Sequence, residues 1–135
     1  MPITKGCKAL VDEARTHIDN VPVADAIGLH GRDEVVFVDL RDPRELERDG
    51  MIPGAFHAPR GMLEFWVDPA SPYYKEIFGS GKRFILYCAS GWRSALATAT
   101  LVQMGLEPVG HIDGGFGAWK KAGGPVADKP AKDAA

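Results

Sequence analysis

The chain has only two cysteines in 135 residues, Cys7 and Cys88. Two thiols cannot build a disulfide framework, so the fold has to rest on its own core, and a working thiol suits a reducing compartment. Charge of one sign is also missing: 16 basic against 18 acidic side chains leave a net charge of −2. That balance argues against a broad surface for nucleic acid or anionic membrane, and any positive field must be local. No apolar run approaches the roughly 20 residues that span a bilayer, and the amino end has no apolar signal core. A cytoplasmic protein with no membrane partner is the expectation. The four histidines, His17, His30, His57 and His111, fall at no metal-ligand spacing, G-x-G-x-x-G is absent, and no repeat is visible. Neither a metal nor another cofactor is expected.

What is present is enough for one domain with a real core: 135 residues, 45% of them hydrophobic. Its most informative stretch is Phe84-Ile85-Leu86-Tyr87-Cys88-Ala89-Ser90-Gly91-Trp92-Arg93-Ser94. Four bulky apolar residues without alternation read as a strand buried on both faces, as in parallel sheets. From Ser94 to Met104 the composition is helical, and Gly105 is a suitable stop. Cys88 therefore lies between a strand's carboxyl end and a helix's amino end, where unpaired N–H groups and the helix dipole favour an anion. Gly91 lets the loop N–H groups turn inward, and Arg93 adds a permanent charge five residues on. Such surroundings convert a thiol into a nucleophilic thiolate.

Elsewhere the pattern alternates helices and strands. Leu10, Ala14 and Ile18 recur at helical spacing within 7–19, and 21–29 reads as a second helical stretch. Residues 34–38 form another buried strand, with Asp39 and Arg41 at its carboxyl end and Pro43 opening a helix. In open α/β sheets sites form beyond the strands' carboxyl ends, so Asp39 and Arg41 are candidates near Cys88. The favoured reading is a buried ion pair or cap that locks the loop, because a carboxylate beside a thiolate opposes its ionisation. A short strand at 55–59 ends at Arg60. The aromatic segment 61–78 reads either as a lid or as cover for the sheet. A last strand at 107–112 leads into a helix with Asp113 as N-cap, and the chain from Pro125 onward reads as a flexible tail. These elements give an α/β domain with a mostly parallel central sheet flanked by helices.

Cys88-x-x-Gly91-x-Arg93-Ser94 between a buried strand and a helix resembles the active-site loop of single-domain rhodaneses, the thiosulfate sulfurtransferases. Two more stretches resemble that family: Asp39-x-Arg41-x-x-x-Glu45-Leu46 followed by Gly50-Met51-Ile52-Pro53-Gly54-Ala55, and the Gly-Gly-x-x-x-Trp of Gly114 to Trp119. Met51 departs from the pattern, since most relatives carry histidine there. The longer aromatic connection at 61–78 looks like a bacterial subfamily. The resemblance implies a rhodanese-like three-layer fold over 21–125, with a helical extension at 1–20 and a flexible tail at 126–135. It also implies sulfur transfer through a Cys88 persulfide, from thiosulfate or a similar donor to cyanide or a thiol acceptor. The loop N–H groups of residues 89–93 (Ala89, Ser90, Gly91, Trp92 and Arg93) would hold the sulfur anion. Ser94 would donate its hydroxyl to the sulfur. Arg93 would either orient the loop or bind the donor's sulfonate, Arg60 and Trp92 would stand at the pocket rim, and Asp39, Arg41 and Glu45 would support the site.

Three other readings stay open: a persulfide carrier, a non-catalytic binding module, and a cysteine-loop phosphatase. Such modules often lose the cysteine, which this chain keeps. The phosphatases need Cys-x5-Arg, whereas the residues between Cys88 and Arg93 are four: Ala89, Ser90, Gly91 and Trp92. The shorter loop encloses space for one sulfur rather than a phosphoryl group.

Overall fold

The computed structural model describes residues 2–130. Along them run α1 (Cys7–Arg15), β1 (Asp19–Val21), α2 (Val23–Leu29), β2 (Val35–Asp39), α3 (Pro43–Asp49), β3 (Phe56–His57), α4 (Leu63–Val67), β4 (Arg83–Tyr87), α5 (Trp92–Met104), β5 (Val109–Ile112) and α6 (Gly115–Lys121). The strands form one sheet in the order β1-β5-β4-β2-β3, and every pairing is parallel. The α/β class expected from the sequence is therefore the class observed.

The unbroken apolar run of β4 is explained by its central place. Phe84 and Leu86 point into one core, with Val38, Leu63, Val67, Phe78, Ala97 and Leu101. Ile85 and Tyr87 point into the other, with Val21, Ala26, Phe37, Ile52, Ile112, Phe116 and Trp119. A strand covered on both faces has no solvent side to fill with polar residues. The aromatic segment serves as cover: Leu63, Val67 and Phe78 are buried, and edge-on contacts join Phe56 to Trp66 and to Phe78 at 6.0 and 5.7 Å between ring centres. Phe78 meets Phe84 of β4 at 5.3 Å, which ties the segment to the centre of the sheet.

Several local expectations change. The sequence reading has no β1; Asp19, Asn20 and Val21 pair with Gly110, His111 and Ile112 as the sheet's edge. The boundary between an extension at 1–20 and a domain from 21 thus cuts a strand. In α1 the buried side is Val11 and Ala14, while Leu10 is 43% exposed, so the apolar stripe is rotated one residue from its expected place. Helix α5 begins at Trp92, two residues before Ser94. Asp113 does not cap α6: the cap is Gly114 at φ +84°, and Asp113 faces Arg15 at 3.6 Å. The stretch read as a tail is tied down where it starts. Met51 and Ala127 exchange backbone hydrogen bonds of 2.8 Å, and Trp119 Nε1 donates to the Pro125 carbonyl at 2.7 Å. The end of that stretch, 131–135, lies outside the described residues.

Candidate active site

The register brings the carboxyl ends of β2 and β4 level, with Asp39 beside Tyr87. Cys88 follows directly and is 1% exposed. Its Sγ accepts N–H bonds from Gly91 at 3.2 Å and from Ser94 at 3.4 Å. The second donor lies beyond the 89–93 loop and belongs to the first turn of α5, so the helix terminus itself faces the sulfur. Gly91 makes the turn possible at φ +104°, which only glycine adopts without strain. Its back leaves room for a side chain, since a Cβ there would stand in ordinary contact with Gly114 N at 3.4 Å and the Arg15 guanidinium at 3.5 Å. The backbone conformation alone calls for glycine.

The loop is held from beneath by the start of α6. Phe116 N–H donates to the Cys88 carbonyl at 2.8 Å, and Gly117 N–H donates to the Ala89 carbonyl at 3.0 Å. That approach needs Gly115, at φ +64°, where a Cβ would sit 2.7 Å from both carbonyl oxygens. The Gly-Gly turn is therefore a support of the cysteine loop as well as a packing motif.

Arg93 turns to α3. Its Nη1 and Nη2 donate to the two oxygens of Glu45 at 2.7 and 2.9 Å. The Arg93 bonds hold the Glu45 carboxyl below its ordinary range, against the opposing effect of burial. Glu45 also closes a capping box: Asp42 accepts from Arg44 N–H at 2.8 Å, while Glu45 accepts from Asp42 N–H at 3.3 Å. The fork-to-fork pair joins α3 to the first turn of α5.

Asp39 and Arg41 form the buried ion pair, both 0% exposed. Arg41 donates through Nε and Nη2 to Asp39 at 3.0 and 2.7 Å, and Nη2 also reaches the Gly50 carbonyl at 2.8 Å. Burial works against the guanidinium charge, and the Asp39 hydrogen bonds and charge override it. The guanidinium lies 4.3 Å from the Phe116 ring centre. The pair thus joins the end of β2 to α6 and has no hydrogen bond to the sulfur. Ala89 and Ser90 are exposed at the loop's tip, and Trp92 is 44% exposed beside it. Arg60 is bound to Glu64 at 2.7 Å, and none of its hydrogen bonds goes to the cysteine loop.

Behind the sulfur runs a buried polar chain that the sequence reading does not contain. Cys88 Sγ is 3.6 Å from Ser94 Oγ, Ser94 Oγ is 2.8 Å from His111 Nδ1, and His111 Nε2 is 2.8 Å from Asn20 Oδ1. Burial, aided by the Arg15 charge, lowers His111 to about 4, with Asp113 and Asp19 opposing, so the ring is neutral at pH 7. The available signal was a histidine inside an otherwise buried strand, since such a group needs partners for both ring nitrogens.

Residues 23–122 match the model of the rhodanese-like domain. A sulfurtransferase of Allochromatium vinosum is 33% identical over 94 residues, 70% of this chain and 79% of that protein. The thiosulfate sulfurtransferase GlpE of Pseudoalteromonas translucida is 30% identical over 76% of this chain and 90% of its own length. A Rhodopseudomonas palustris structure, a protein of unknown function described as a possible tyrosine phosphatase, superposes with a TM-score of 0.91. It is 60% identical and covers 94% of this chain and 98% of that one. The chain belongs to the rhodanese-like family.

Proposed function

We propose that the protein is a sulfurtransferase that carries sulfane sulfur on Cys88. The Cys88 thiolate attacks the outer sulfur of thiosulfate or a related donor. A bond forms between the two sulfurs, the bond to the sulfonate sulfur breaks, and sulfite leaves with the electron pair. Cyanide or a thiolate then attacks the outer persulfide sulfur and returns Cys88 as thiolate. The observation that carries this reading is the cradle around one sulfur atom, with N–H donors at 3.2 and 3.4 Å and a loop of four residues before Arg93. Fixed donors of this kind stabilise an anion without reorganising.

A phosphatase reading has support in the description of the Rhodopseudomonas palustris relative. Two features weigh against it. The loop is one residue short of Cys-x5-Arg, and both Arg93 donor arms are already on Glu45 at 2.7 and 2.9 Å. Parallel assays decide between them, using thiosulfate with cyanide in one and an aryl phosphate in the other. Thiosulfate alone should add about 32 Da, one sulfur atom, to the intact protein, and Cys88→Ser should abolish the gain. Efficient phosphate release that is lost in Cys88→Ser would overturn the proposal. No mass gain at millimolar thiosulfate would remove that donor and favour a carrier loaded by another enzyme.

A further inference from the structure

The chain from Cys88 to Asn20 has a direction, and that direction can be read from one end. Asn20 Nδ2 donates to the carbonyls of Arg15 at 2.9 Å and Ile18 at 3.4 Å. Turning the amide over would set its oxygen against two carbonyl oxygens, so Oδ1 is the atom that faces His111. His111 Nε2 must therefore carry a hydrogen and donate it to Oδ1 at 2.8 Å. A neutral imidazole has one N–H, which leaves Nδ1 as a bare acceptor. Ser94 Oγ, at 2.8 Å from Nδ1, supplies the hydrogen for that contact. A hydroxyl has only one hydrogen to give. Toward the sulfur, 3.6 Å away, Ser94 therefore presents lone pairs and accepts from the thiol.

We propose that His111 is a positioning residue that controls the charge on Cys88 through Ser94: its bare Nδ1 claims the Ser94 hydrogen and withholds it from the sulfur. The expectation that Ser94 donates to the sulfur is thus reversed in the resting protein, where two backbone N–H groups and the charge of the neighbouring Arg93 guanidinium serve an anion. The inference rests on Cys88 being the nucleophile of the proposed reaction and deepens it by naming what sets that nucleophile's resting state.

The groups that face His111 hold it in this state. Burial is the main force against a second ring proton, and the positive Arg15 of α1 adds to it, while Asp113 after β5 and Asp19 of β1 pull the other way. Asn20, Ser94 and Cys88 complete the surroundings along the hydrogen-bonded chain. A carboxylate in the place of Asn20 would favour the imidazolium and free the hydroxyl. An amide does not, because its oxygen is neutral.

Two measurements test the inference, neither of which uses a sulfur donor, so failure here is separate from failure of the sulfurtransferase reading. The first is the tautomer of His111 in the unaltered protein, read by long-range nitrogen–proton NMR at pH 7. Hydrogen on Nε2 is expected, and hydrogen on Nδ1 would overturn the proposal whatever any variant does. The second is the rate of Cys88 alkylation by iodoacetamide, in a Cys7→Ser background because Cys7 is an exposed free thiol. His111→Leu releases the Ser94 hydrogen, so alkylation at pH 7 should rise about tenfold and the pH–rate profile should move to lower pH. Removing the hydroxyl with Ser94→Ala should abolish that gain in the double variant. An unchanged or slower rate in folded His111→Leu, or a gain that persists without Ser94, would overturn the inference.

Discussion

Gly115 is the position at which backbone geometry and chemistry can be separated most cleanly. Two costs fall on Gly115→Ala. A side chain in the left-handed region costs about 1–2 kcal/mol, and Gly115 has φ +64°. The new methyl would also stand 2.7 Å from the Cys88 and Ala89 carbonyl oxygens, well inside ordinary contact. Both obstacles are backbone, so relief requires moving the cysteine loop, at about 1–3 kcal/mol for an overpacked site. Gly105→Ala is the matched control. Gly105 closes α5 at φ +95°, with nothing within 4 Å of the added carbon, so it carries only the first cost. The expected losses are about 3.5 kcal/mol for Gly115→Ala and about 1.5 kcal/mol for Gly105→Ala. At about 4 °C per kcal/mol for a domain of this size, these become Tm drops of about 14 and 6 °C. Thermal unfolding reads the stabilities, and the rate of Cys88 persulfide formation, measured well below both transitions, reads the loop. Gly115→Ala should slow the chemistry while Gly105→Ala leaves it unchanged. Equal Tm drops with unimpaired chemistry in both would refute the claim that the α6 turn holds the loop in place.

Two other substitutions address the ion pairs. Arg93→Lys keeps the charge but replaces the double contact with Glu45 by a single one; turnover should fall about tenfold and not recover as donor concentration rises, and wild-type turnover would show that charge alone suffices. Asp39→Asn leaves the fully buried Arg41 without its counter-charge and should cost about 3–5 kcal/mol in denaturant unfolding; a loss under about 1 kcal/mol would mean that Gly50 and the Phe116 ring hold the guanidinium unaided.

The parts of the fold that could be read from the sequence are those whose causes are local. The apolar run of β4, the Pro43 start of α3 and the glycine stop of α5 depend on neighbouring residues, and each is found where expected. Strand β1 was not legible because Asp-Asn-Val has no strand pattern of its own and exists through pairing with β5. Asp113 looked like a cap because a short acidic residue preceded a helix; the chain instead passes through left-handed turns at Gly114 and Gly115, which aligns α6 with the loop carbonyls. In the site, Cys88, Gly91, Arg93 and Glu45 were each legible from spacing and resemblance, but the pairing of Arg93 with Glu45, residues 48 apart in sequence, was not. His111 and Asn20 were not, since the contact that orients the histidine joins residues 91 apart in sequence.

Strand β1 also sets where this protein can be divided. The span that matches the rhodanese-like domain starts at residue 23, which leaves out Arg15, Asn20 and all of β1. A fragment trimmed to that span would keep every residue of the cysteine loop. It would nonetheless expose β5 as a bare sheet edge, a template on which another chain can pair and aggregate. It would also leave His111 Nε2 with no oxygen to meet. Residues 19–21 therefore belong to the sheet, and through Asn20 they complete the wall behind Cys88.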